Sequence, residues 1–189
     1  MSNATTIHSE RLDLIPMTPD FLQACLHRDA DAAAALLGLP VADEWFEQEW
    51  LIALRLELLL DDPTYQPWSV RAVVLRASGE MIGHIGFHTG PDPDYLAELA
   101  PKGVEFGYTI FAPFRRRGYA EEASRALMGW ATGHPDVERF VLFISPENTP
   151  SLKLAEKLGF GRIGDWMDEE DGLEWVFARE VFFQLITKK

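Results

Sequence analysis

Apolar and polar positions alternate along residues 11–15 and again along 104–111, whereas residues 121–131 repeat apolar side chains at helical spacing, so strands and helices are mixed along the chain. Thr18-Pro19-Asp20 supplies a capping residue with proline at the first helical position, and it predicts a helix running to about Leu37, where Gly38-Leu39-Pro40 ends it. Residues 45–60 predict a second helix, stopped by Asp61-Asp62-Pro63. These two helices are expected to wall a substrate cleft. Residues 68–75 and 81–87 are rich in Val, Ile and aromatics, and Ala77-Ser78-Gly79-Glu80 between them predicts an antiparallel hairpin. A loop follows from Thr89 to Gly103, then a strand over 104–111, a helix over 121–131, a strand over 139–144 and a short helix over 150–158. The remainder, 161–183, predicts two strands joined by the acidic turn Asp168-Glu169-Glu170-Asp171-Gly172. This order implies an α/β (α+β) fold with a mixed sheet flanked by helices.

With 189 residues, 47% of them hydrophobic, the chain is long enough for one sizeable core, and a single domain over residues 1–189 is expected. No apolar run approaches the roughly 18 to 20 residues of a membrane span, and the first residues lack a secretory pattern, so a cytoplasmic location is expected. The lone Cys25 stands apart from any Cys/His cluster, and no metal site is expected. The balance of 30 Asp and Glu against 17 Lys and Arg, formally -13, argues against a nucleic-acid partner. It would suit a cationic substrate, although an acidic surface also serves solubility alone.

Against that acidic background, Phe114-Arg115-Arg116-Arg117-Gly118-Tyr119-Ala120 is the basic cluster, set between a strand and a helix. A glycine turn at a helix start leaves backbone N–H groups unpaired beside the positive end of the helix dipole, which is an arrangement that holds phosphate. Gly118 permits the tight turn, and Ala120 is small enough not to block it. A dinucleotide-binding oxidoreductase would need Gly-x-Gly-x-x-Gly, and the turn has one glycine. Within 104–111, Val104, Phe106, Tyr108 and Ile110 share one strand face while Glu105, Gly107, Thr109 and Phe111 share the other. Glu105 is therefore either a placed carboxylate or a solvated strand residue.

Arg115-x-x-Gly118-x-Ala120 resembles the acyl-CoA signature of the GNAT superfamily of N-acetyltransferases, and Asn148-Thr149-Pro150-Ser151 with Glu156-Lys157-Leu158-Gly159-Phe160 resembles that family's second motif. The opening Glu10-Arg11-Leu12-Asp13-Leu14-Ile15-Pro16, with Glu105-Phe106-Gly107-Tyr108, is similar to the branch containing ribosomal-protein N-terminal (alanine) acetyltransferases. The resemblance implies the GNAT fold: a mostly antiparallel sheet of about six to seven strands with a splayed parallel pair that binds acyl-CoA. It further implies acetyl transfer from acetyl-CoA to a primary amine, a protein N-terminus or a small amine, by direct attack in a ternary complex. The cofactor-binding residues would be Arg115, Arg116, Arg117, Gly118, Tyr119 and Ala120 at the pyrophosphate, Asn148 at the pantetheine arm, and a backbone N–H of Ile110 or Phe111 at the carbonyl oxygen. Glu105 would be the base, with His84 and His88 either sharing that task or being ordinary polar strand residues. Many members carry a tyrosine acid where this chain has Ala155, and Ser151 is the nearest replacement as thiolate partner, unless Ser151 only caps the first helical turn and Asn148 only closes the turn or caps the helix. The alternative is a non-catalytic acyl-CoA-binding module of the same fold. Acceptor choice falls to residues 45–60 and 89–103, which carry no motif, and a homodimer is left open.

Overall fold

Thr18 opens the first helix as its chemistry dictates, its hydroxyl accepting the Phe21 N–H at 3.3 Å with Pro19 in the first turn. The computed structural model describes residues 4–168 and 172–181. In chain order it has β1 (Ile7–His8), β2 (Leu12–Pro16), α1 (Pro19–Leu26), α2 (Ala30–Leu37), α3 (Asp43–Phe46), α4 (Glu49–Asp61), β3 (Arg71–Leu75) and β4 (Glu80–Phe87). There follow β5 (Gly103–Ile110), α5 (Tyr119–Ala131), β6 (Arg139–Ile144), α6 (Thr149–Lys157), β7 (Gly161–Asp168) and β8 (Gly172–Glu180). The eight strands form a sheet in the order β1-β2-β3-β4-β5-β6-β8-β7. Neighbours β1/β2, β2/β3, β3/β4, β6/β8 and β7/β8 run antiparallel, and β5/β6 run parallel. The mixed, mostly antiparallel sheet is the expected fold, with one strand more than six to seven because the two-residue β1 pairs with β2.

Both early helices are broken where one was expected. Arg28 takes φ 54°, in the left-handed region, and Asp29 starts α2 afresh by accepting the Ala32 N–H at 3.0 Å. Residues 45–60 divide at Glu47 and Gln48, so that Trp45 of α3 and the Ile52, Arg55 and Leu59 face of α4 are all buried. The strand expected from Trp68 begins only at Arg71, because Trp68 and Ser69 still donate to the Tyr65 carbonyl. At the other end, residues 169–171 of the expected acidic turn and residues 182–183 of the expected last strand lie outside the described residues.

The chain divides into two compact units: residues up to Thr89 with Gly107–Leu127, and Gly90–Phe106 with the residues from Met128 on. The first unit buries Leu12, Leu14, Met17, Phe21, Ile82 and Phe87 almost completely. Its share of α5 buries Ala123 and Leu127, the apolar face that the helical spacing predicts. The second unit centres on Leu96, Ala100, Val141 and Val176, with Leu99 and Phe143 packed against them. Here the parallel ladder pairs Gly103, Val104 and Glu105 with Arg139, Phe140 and Val141.

Candidate active site

In the first unit, a 3-10 turn over Ala112–Phe114 leads out of β5, and Arg115 Nε donates back to the Ile110 carbonyl at 2.8 Å. Arg116 (φ 61°) and Gly118 (φ 82°) then both adopt left-handed backbone. That conformation is easy for glycine and strained for arginine, and such strain gathers at ligand sites. Its result is that the backbone N–H groups of residues 116–120 have no hydrogen-bond acceptor among the described residues. The side chains of Arg115, Arg116 and Arg117 are exposed beside them. All six residues of the expected anion turn lie on one segment, exposed over residues 115–118 and half-buried at Tyr119 and Ala120.

What steadies this turn leaves no local mark in the sequence. Glu122, in the first turn of α5, accepts from Ser9 Oγ (2.7 Å), the Arg11 N–H (2.7 Å) and Arg11 Nε (2.6 Å). Burial raises the Glu122 carboxyl, but hydrogen bonds from Arg11 and Ser9 together with the Arg11 charge outweigh it and hold the group below its usual range. Arg11 Nη1 also donates to the Arg117 carbonyl at 3.2 Å, and its guanidinium lies 4.6 Å from the Tyr119 ring centroid. A Cβ added at Gly118 would meet Arg11 Nη2 at 3.4 Å. The separation of Arg11 from Glu122 by more than a hundred residues hides this contact from any local pattern.

Of the two N–H groups expected to face the carbonyl oxygen, that of Phe111 is engaged, donating to the Ile82 carbonyl at 2.9 Å. Ile110 remains as the candidate donor. His84 is 7% exposed, with its ring centroid 5.1 Å from that of Trp45 and 6.4 Å from that of Phe111. Burial, reinforced by the positive charge of Arg55, lowers its pKa to about 4, so His84 is neutral at neutral pH and a poor base for an amine. His88 lies just past the end of β4, its carbonyl accepting from Arg55 Nη1 at 3.0 Å. Its ring lies against Gly107, where a Cβ would come within 2.8 Å of Nε2.

In the second unit, Glu105 is 8% exposed, which removes the solvated-strand reading. Its Oε2 accepts the Tyr95 hydroxyl at 2.8 Å. Nothing in the sequence marks Tyr95, because residues 89–103 show no periodicity that places a side chain. Asn148 is the N-cap of α6, its Oδ1 accepting the Ser151 N–H at 3.2 Å. The cap and ligand roles are compatible, because the cap uses the amide oxygen and leaves the NH2 as a donor. Ser151 is half-buried one turn before Ala155, which is fully buried. Among the described residues, no three His, Cys, Asp or Glu side chains gather as a metal site, and no helix is long and apolar enough to cross a membrane.

Residues 11–161 match the family model described as acetyltransferase (GNAT) domain. The uncharacterized N-acetyltransferase YjdG of Bacillus subtilis is 27% identical over 156 residues, covering 82% of this chain and 88% of that protein. The ribosomal-protein-S5-alanine acetyltransferase of Vibrio fischeri has a similar fold, with a TM-score of 0.63 at 14% identity over 93% of this chain and 96% of that one. RimL, a ribosomal L7/L12 alpha-N-protein acetyltransferase solved in complex with coenzyme A, aligns with a TM-score of 0.62 at 20% identity over 94% of this chain and 98% of that one.

Proposed function

Since the chain belongs to the GNAT acetyltransferase domain family, we propose that it transfers an acetyl group from acetyl-CoA to a primary amine by direct attack in a ternary complex. The observation that carries this reading is the run of N–H groups at residues 116–120 without acceptors, a cradle that fits the pyrophosphate of CoA. Arg115, Arg116 and Arg117 add positive charge there, and the Asn148 NH2 serves a carbonyl of the pantetheine arm. Acetyl-CoA supplies the activated acetyl group. Glu105 accepts the proton that an ammonium must lose before its nitrogen can attack. The Ile110 N–H faces the carbonyl oxygen, where developing negative charge is stabilised. Ser151 is the hydroxyl nearest in sequence to the position where many relatives carry an acid, and it hydrogen-bonds the departing sulfur.

The acceptor is a peptide N-terminus or another small cationic amine, supported by the net charge of -13 and by the likeness in fold to ribosomal-protein acetyltransferases. Thiol release from acetyl-CoA, measured across a panel of alanine- and serine-starting peptides, polyamines and aminoglycosides, tests the reading. Release with at least one acceptor supports transfer. Acetyl-CoA binding without release from any of them would favour the non-catalytic module, for which the buried Ala155 in place of an acid is the argument.

A further inference from the structure

Glu105 is 8% exposed, whereas the Tyr95 hydroxyl that donates to it belongs to a residue 36% exposed. The carboxylate that must receive a proton is shut away, and the side chain bonded to it belongs to a partly exposed residue. We propose that Tyr95 is the proton relay of this active site, carrying the proton of the acceptor amine to Glu105.

The loop that presents Tyr95 is held at both ends. The Asp92 N–H donates to the Gly103 carbonyl at 2.8 Å, and the Lys102 N–H donates to Asp92 Oδ1 at 2.6 Å, so residues 92–103 close on themselves. Leu96 and Ala100 anchor the loop by complete burial beside Val141 and Val176. A 3-10 turn over Asp94–Leu96 then presents Tyr95, whose ring meets that of Phe143 edge-on with centroids 6.4 Å apart. The hydroxyl is therefore fixed by backbone clamps, core packing and an aromatic contact. Such fixation is what a proton path requires, since transfer depends on hydrogen-bond distance being kept.

This inference rests on the acetyltransferase reading above. In the first step the amine, as its ammonium, gives a proton to the Tyr95 oxygen while the Tyr95 proton passes to Glu105 Oε2, and tyrosine ends neutral. The freed nitrogen pair forms the N–C bond to the acetyl carbon. The C–S bond breaks, and its electron pair leaves on sulfur. The second nitrogen proton goes to that thiolate, giving the thiol. Glu105 later returns its proton to solvent by the reverse path.

Steady-state kinetics with acetyl-CoA and a short alanine-starting peptide, or whichever panel amine turns over faster, decide the matter. Tyr95→Phe keeps the ring and removes the relay, so kcat should fall about tenfold to hundredfold at neutral pH, the loss expected for one hydrogen bond to a charged group. KM for acetyl-CoA should stay unchanged, and the deficit should close as pH passes the amine's own pKa. Combining Tyr95→Phe with Glu105→Gln should add nothing to Glu105→Gln alone. A fluorinated tyrosine at position 95 should shift the pH–rate profile with the phenol's acidity, which a packing role would not do. Wild-type kcat in Tyr95→Phe, a pH-independent deficit, or additive losses would overturn the relay while leaving Glu105 as base. Wild-type kcat in Glu105→Gln, or no thiol release with any acceptor, would overturn the reading beneath it.

Discussion

At the turn of residues 115–120 the polar groups left without acceptors belong to the backbone of a largely exposed segment; at Glu105 the polar group is a side chain removed from water. An exposed N–H can wait for an anion without penalty, because water satisfies it meanwhile. A buried carboxylate has no such reserve and needs a donor in place at all times, which Tyr95 provides. The two regions therefore tolerate change differently. Under the proposed function the turn would depend on shape, with room for several side chains, whereas position 105 would depend on the chemistry of one group.

The largest effect should come from the chemical side of that comparison. Glu105→Gln keeps size and hydrogen bonding but removes basicity, and turnover should fall by roughly a hundred- to ten-thousand-fold with acetyl-CoA affinity retained in calorimetry. Loss of affinity in step with turnover would erase the division of labour.

Acid should act on the first unit through His84. Unfolded, this imidazole takes up a proton near its ordinary 6.5; folded, it does so only near about 4. Between those values the unfolded chain binds the extra proton, so stability falls as pH drops through that window and this contribution levels off below it. The loss should reach about 3 kcal/mol by pH 4. Urea midpoints at pH 7 and pH 4 measure it, and in His84→Phe the drop should be smaller by that amount.

The shape side is tested by Gly118→Val, which puts a branched residue at φ 82° against Arg11. Acetyl-CoA affinity should weaken about tenfold to hundredfold through loss of N–H bonds to phosphate, whereas Arg117→Ala, removing one exposed charge, should cost less than about fivefold. Equal losses would mean that side-chain charge and not backbone shape holds the anion. The smallest effect is expected at Asn148, where Asp preserves the cap and Ala destroys it. Asn148→Ala should lower stability by about 1 kcal/mol and Asn148→Asp by little, while both weaken acetyl-CoA if the amide NH2 is the contact. Unchanged affinity in Asn148→Asp would leave the residue a cap alone.

Legibility in the sequence followed the range of the contacts. The glycine turn between a strand and a helix could be read because its residues lie within a few positions of one another, whereas the burial of Glu105 could not, since Val104, Glu105 and Phe106 are all buried and the strand period does not separate them. Tyr95 could not be read, since its partner is ten residues away across a loop whose shape depends on the Asp92 clamps. The break at Arg28 was equally hidden: a left-handed arginine has no compositional mark, and the alanines after it continue a good helical pattern. His84 looked like a strand histidine able to serve as a base, and only three-dimensional burial between Trp45 and Phe111 demotes it.

Ser9 and Arg11 meet Glu122 through three hydrogen bonds, so the amino-terminal stretch is part of the frame that holds the turn of residues 115–120. The matched family region begins at residue 11, and cutting the gene at that boundary would discard Ser9 and turn the Arg11 amide into a charged terminus. A chain shortened to residue 11 would lose this clamp together with β1 and the Thr5 carbonyl, which accepts from the buried Arg71 Nη1 at 2.8 Å. For anyone trimming this enzyme for crystals or for biocatalysis, the edit that spares both β1 and this clamp lies upstream of Thr5.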